Sequence, residues 1–238
     1  MANTNATVLY KDFDVNQINF EPVSKNKMGG KMVRVTYGPT KQPIRIQSPN
    51  IYMPFGVSTY TDEKTGEVSH SIDAAFRGYQ EDAKVKKFYD LMNAIDDKIV
   101  KTCVERSAEW LGKAMSAEVV REFFRPLVRP PKDEKYSPLL KIKVGPLNRS
   151  GQMPKVFDMA DVSEPKDLSF ILKGSVAAVI LTIPMVWFVN KTFGVSAKLF
   201  QAAVVSRPVI TESFAFAPED PDEYTEDNKG FAFDDGDL

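Results

Sequence analysis

From Lys31 onward, short runs of alternating apolar and polar residues are separated by turn chemistry: KMVRVTY, Gly38-Pro39, QPIRIQ, Ser48-Pro49, IYMPFGVSTY, DEKTGE and VSHSIDAAF. A period of two, bounded by Gly, Pro and Asp, predicts a β-meander of roughly three or four strands with a turn at Lys64-Thr65-Gly66. Between Glu81 and Gly112 the period changes. Val85, Phe88, Met92, Ile95, Ile99 and Cys103 recur at steps of three and four with charges between them, which predicts an amphipathic helix. A shorter helix is expected over Ala117 to Phe124, with Ser116 as N-cap and Glu118 in the first turn. Pro126, Pro130 and Pro131 end it, so RPLVRPPKDEKYSP reads as a loop. Strand patterning resumes at LLKIKVGPL and FILKGSVAAVILTIPMVWFV, and Gly194 marks a turn into SAKLFQAAVVSRP.

The order strands, helix, strands predicts a mainly β fold with one long helix. An OB-fold-like β-barrel with the helix inserted between its third and fourth strands satisfies it, and a β-sandwich fits the same pattern. The uncharged run Val176 to Val189 spans 14 residues and contains Pro184. A helix needs about 20 residues to cross a bilayer, so a buried strand is expected there. The expected organisation is an N-terminal extension over 1–30, the OB-like domain over 31–217, and a disordered acidic tail over 218–238.

Charge changes the picture most in that tail. The chain holds 31 bases and 32 acids, and Pro218 to Leu238 contains nine of the acids against the single base Lys229. Subtraction leaves 30 bases and 23 acids, a body of about +7 joined to a tail of about −8. A basic body attracts polyanions, chiefly through phosphates, and an acidic tail can occupy the same surface or recruit a partner. Phe214, Phe216, Tyr224, Phe231 and Phe233 lie among the acids, and the chain ends in FAFDDGDL. Tyr224, Phe231, Phe233, Asp234, Asp235, Asp237 and Leu238 therefore read as a partner-binding peptide.

Candidate chemistry points to binding. With only Cys103 and His70, neither a disulfide framework nor a His/Cys metal cluster of ordinary spacing is expected, and no cofactor is called for. Phosphate loops, nucleotide fingerprints and hydrolase elbows are absent from the sequence, so an enzyme is not expected. Asp96 and Asp97 are expected to face solvent from the helix, His70 to be an ordinary strand residue, and Cys103 a core residue. The N-terminus MANTNATVLY lacks the regions of a secretory signal, so the acceptor-like triplets at Asn5, Asn148 and Asn190 read as chance. Bases and aromatics interleave at Lys31, Arg34, Tyr37, Lys41, Arg45, Tyr52, Phe55 and Tyr60, and a second basic cluster is Lys141, Lys143, Arg149 and Lys155. Unpaired nucleic acid needs this mixture, because cations follow phosphates while aromatic faces stack bases.

The stretches VTYGPTKQPIRIQSPNIYMPFGVS and PMVWFVNKTFGVSAKLFQAAVV, with the acidic aromatic end, resemble the single-stranded DNA-binding proteins of nucleocytoplasmic large DNA viruses. That family is related to the OB-fold replication protein of certain tailed phages. The resemblance implies an OB-fold that binds single-stranded DNA without strong sequence preference. It also implies a homodimer, a tail that contacts viral DNA polymerase or helicase, and residence in the host cytoplasm (viral factory) or host nucleus. DNA contact carries over to Tyr37, Lys41, Arg45, Tyr52 and Phe55. The tail of that family ends in an aromatic residue, whereas this chain ends in Leu238. Two other classes fit parts of the pattern: a virion structural or assembly protein with a β-sandwich domain, and an acidic-tailed chaperone for basic DNA-packaging proteins.

Overall fold

Leu139–Val144 buries Leu140, Ile142 and Val144 and exposes Lys141 and Lys143, the period of two that a half-buried strand requires. Ser175–Thr182 does the same with Ser175, Ala177, Val179 and Leu181 inward. In the computed structural model, which describes residues 7–26, 29–148 and 150–208, five such strands close a barrel. They are β1 (Ile51–Met53), β2 (Val68–Ala75), β3 (Leu139–Val144), β4 (Ser175–Thr182) and β5 (Ala197–Ser206). Around the ring β1 pairs with β2, β2 with β3, β3 with β5, β5 with β4, and β4 with β1. Only the β3 to β5 pairing is parallel. The architecture is mainly β and OB-fold-like, with a helix between strands, as the pattern predicts.

The long helix α1 (Ala83–Glu105) starts at Asp82, whose carboxylate accepts the N–H groups of Lys84 and Val85. The whole predicted stripe, Val85, Phe88, Met92, Ile95, Ile99 and Cys103, is buried. A short helix over Ser107–Leu111 continues it, and Gly112 at φ +84° ends that turn in the left-handed region. The helix Ala117–Phe123 follows with Ser116 at its N-cap, although the serine side chain makes no capping bond.

Three expectations need correction. The long helix connects β2 to β3, the second and third barrel strands, not the third and fourth. Periodicity reports that a strand exists but not which sheet it joins, and Lys31–Tyr37 belongs to a second sheet. That sheet runs in the order Ile18–Lys25, Lys31–Tyr37, Met185–Val189, Thr192–Val195, Phe124–Arg125. Ile18–Lys25 pairs antiparallel with Lys31–Tyr37, so residues before and after Lys31 share one hairpin. Finally, Asp96 points inward at 6 % exposure, while Asp97 is exposed. Spacing explains it: Asp96 is four residues after Met92 and three before Ile99, on the apolar stripe itself.

The uncharged run divides into two strands, β4 in the barrel and Met185–Val189 in the second sheet. Pro184 falls at the crossing, where its carbonyl accepts the Val35 N–H at 3.0 Å. Among the described residues no helix is long and apolar enough to cross a membrane. One hydrophobic cluster joins barrel residues such as Ile72 and Ile142 to Phe88 of α1 and to Val33 and Val186 of the second sheet. Trp110, 1 % exposed, bridges the layers through edge contacts with Phe20 and Phe188.

Candidate nucleic-acid interface

The barrel turns the exposed residues of β2, β3 and β5 onto one outer face. Antiparallel register sets Lys141 beside Asp73 and Lys143 beside Ser71, while the parallel pairing sets Lys198 beside Lys143. Partial loss of water, followed by the nearby charges of Lys198 and Lys141, lowers the Lys143 pKa below its ordinary value. An anion arriving here would relieve that repulsion. A cavity of about 350 Å³ opens beside these lysines and is also lined by Tyr60, His70 and Pro146. Tyr60 is 64 % exposed.

At one end of the face lies a cavity of about 680 Å³. Its aromatic walls are Tyr52, Phe55 and Tyr136, and its cations are Arg77, Arg129, Lys132 and Lys135. The Arg77 guanidinium stands 5.4 Å from the Tyr52 ring centroid and Lys135 Nζ 5.0 Å from that of Tyr136. Arg129 is ion-paired with Asp73. Leu139 lines this cavity and Lys141 lines the next; being two residues apart on one strand, they share a face within about 7 Å.

At the other end is a groove of about 560 Å³ lined by Arg34, Lys41, Arg45, Lys198 and Phe200, with Gly145 and Pro146 shared with the lysine cavity. The Arg45 guanidinium sits 4.0 Å over the Phe200 ring, and Arg34 pairs loosely with Glu21 at 3.4 Å. The three hollows thus form one strip: aromatic and cationic, then lysine-rich, then arginine-rich.

The strip collects Arg34, Lys41, Arg45, Tyr52, Phe55, Lys141 and Lys143 from the sequence-based set. Lys31, Tyr37 and Lys155 stand elsewhere. Lys31 Nζ donates to the Glu109 carbonyl at 2.9 Å and lies 5.5 Å from the Phe188 ring, at the second sheet. One face of Tyr37 is stacked on Phe13 at 4.4 Å, and its hydroxyl accepts the Asp14 N–H. Lys155 pairs in register with Gln201, on the strand beyond β5 from Lys143. Arg149 and the tail positions Tyr224, Phe231, Phe233, Asp234, Asp235, Asp237 and Leu238 lie outside the described residues.

Sequence reasoning missed Arg77, Arg129, Lys132, Lys135, Tyr136 and Lys198. Four of these lie in RPLVRPPKDEKYSP, where bases and a tyrosine interleave just as they do earlier in the chain, so the same criterion applied to the loop would have found them. Lys198 carries no local signal; only the parallel pairing brings it to Lys143. The groups that could suggest chemistry are otherwise occupied. His70 Nδ1 lies 3.0 Å from Thr59 Oγ1 across a strand pair. Cys103 is buried in the helix stripe, and loss of water pushes its thiol up to about 12.

Fold and site together define an OB-like β-barrel protein with a basic and aromatic outer face. Residues 79–225 match the family DUF5871, a family of unknown function, and the chain belongs to that family. Among curated proteins, none matches the sequence. Solved structures with a similar chain course include the single-stranded DNA-binding protein from bacteriophage Enc34 in complex with ssDNA, at 14 % identity and a TM-score of 0.45, covering 80 % of this chain and 97 % of that one. Another is gp2.5, a single-stranded DNA-binding protein encoded by bacteriophage T7, at 12 % identity and a TM-score of 0.44, covering 73 % of this chain and 98 % of that one.

Proposed function

We propose that the protein binds single-stranded DNA without strong sequence preference during viral DNA replication, and that it belongs with the single-stranded DNA-binding proteins of large DNA viruses. The observation that carries this reading is the alignment of an aromatic cavity (Tyr52, Phe55, Tyr136) with a line of cations (Lys141, Lys143, Lys198, Arg45, Lys41) on one barrel face. Aromatic faces stack unpaired bases of any identity, and the cations follow the phosphates. A duplex hides its bases and cannot use the aromatic cavity.

On the same reading the acidic tail competes with DNA for the basic strip and recruits a replication polymerase or helicase. The supports are the opposed charges of body and tail and the aromatics set among the tail's acids. The protein acts as a homodimer in the host cytoplasm or nucleus, as the family resemblance implies. Fluorescence anisotropy of labelled oligo-dT and a matched duplex tests the central claim. Preference for the single strand, weakened by salt, supports it, and absence of binding at low salt overturns it.

A further inference from the structure

The segment 126–138 stands between two hollows. One is the aromatic cavity, and the other, of about 750 Å³, is lined by Tyr79, Tyr89, Asn93, Pro126 and Val128 among others. Pro130, Pro131, Lys135, Tyr136 and Ser137 line both. Residues 132–136 are exposed and have little packing of their own, while Leu127 and Val128 are buried in the core, so the anchors at the two ends decide where the partition stands. At the far end Phe76 N–H donates to the Pro138 carbonyl at 3.0 Å. Near its base, Val128 and Arg129 pair with Leu140 and Leu139, and Arg129 pairs with Asp73.

The remaining anchor reaches in from α1. Asp96 Oδ2 accepts the Leu127 N–H at 2.9 Å, and both residues are buried. Asp96 Oδ1 is buried without a hydrogen-bond partner among the described residues. The packing of α1 asks for an apolar side chain at this place on its stripe, so the carboxyl costs the helix core something. What it supplies is an acceptor for a backbone N–H that the core would otherwise orphan, at the first turn of the partition.

Resting on the reading that this face binds single-stranded DNA, we propose that Asp96 is a positioning residue: its side chain clips the base of the 126–138 partition and so holds Arg129, Lys132 and Tyr136 in place for the strand. The clip is sensitive to protonation. Loss of water pushes the Asp96 carboxyl up to about 8, opposed by the Leu127 and Val128 N–H groups and reinforced by Asp97. Asp97 is the charged group bearing on it from α1, itself paired with Arg121 of the following helix at 3.1 Å; the partition presents backbone amides. Below that pH the buried carboxyl is neutral. An opening that admits water lets the carboxyl release its proton at the ordinary carboxylate pKa, so the closed clip loses stability as pH rises from that range toward about 8.

The test follows amide exchange of Leu127 and Val128 in the free protein, together with dissociation of oligo-dT, from the ordinary carboxylate range up to pH about 8 and beyond it. In the wild type the Leu127 protection factor should fall by up to about tenfold per pH unit as pH rises from about 3.8 toward about 8 and level off above it, and dissociation should speed up several-fold across the same window. Asp96→Asn keeps an acceptor but does not titrate, so both profiles should flatten. Asp96→Ala orphans the Leu127 N–H and should weaken binding about tenfold at every pH. Since Lys143 also titrates early, identical pH profiles for wild type and Asp96→Asn would assign the effect elsewhere and overturn the proposal. Flat Leu127 protection in the wild type would overturn it as well, with no variant needed. If protection follows pH as expected but no protein binds oligo-dT at any pH, the DNA reading fails and takes the positioning role with it, while the clip itself stands as measured.

Discussion

Phe55 exposes 55 % of its surface at the cavity it shares with Tyr52 and Tyr136, and Tyr136 exposes 62 %. Large aromatics left in water at a concave site have no folding role to explain them, so their removal should cost binding and spare stability. Phe55→Ala or Tyr136→Ala is expected to weaken oligo-dT binding by ~1–3 kcal/mol while leaving the salt slope unchanged. A titration repeated across ionic strength checks both halves of that statement. Lys143 behaves in the opposite way. Lys143→Gln should weaken binding modestly and reduce the slope of log K against log salt by about 0.7, the share of one phosphate contact on a single strand. An unchanged slope would place Lys143 off the phosphate path. Neighbouring Gly56 shows how tightly this rim is built: at φ +66°, an added Cβ would lie 2.8 Å from the Ile171 carbonyl oxygen.

At the scale of elements, α1 was legible because its stripe repeats at the helical period over many turns, and every apolar position it predicts is buried. The expectation from spacing turns both Asp96 and Asp97 outward, yet the steps from Met92 and to Ile99 put Asp96 on the stripe, where it meets a backbone N–H from a loop 31 residues away. That outcome has a measurable consequence for stability. The folded protein holds the Asp96 proton up to about 8 where an unfolded Asp releases it near 3.8, so the folded state binds more protons between those values. Stability should therefore fall as pH rises through that window and level off above it. Denaturant midpoints at both ends of the window would show the slope, and Asp96→Asn should remove most of it. The proline-rich loop was read as a connection because prolines end helices; that it also forms a wall of the aromatic cavity follows only from its return to pair with β3.

For the whole molecule, the decisive quantity is the separation of about +7 from about −8 along one chain. If the tail competes for the basic strip, a chain ending at Ala217 should bind oligo-dT more tightly than the full chain at low salt, and the two affinities should converge as salt screens both contacts. Equal affinities at low salt would rule out competition. By itself, the sequence determined the mainly β character, the long helix, and the basic body and acidic end. These are local properties, written in period, composition and charge. Tertiary structure alone decided that the helix joins the second and third barrel strands, that Lys31–Tyr37 lies in a separate sheet, and that Lys198 meets Lys143 while Lys31 and Lys155 stand apart. Strand partnership depends on long-range hydrogen bonding and shared burial. A period of two specifies which side of a strand faces the core but not which neighbour lies beside it.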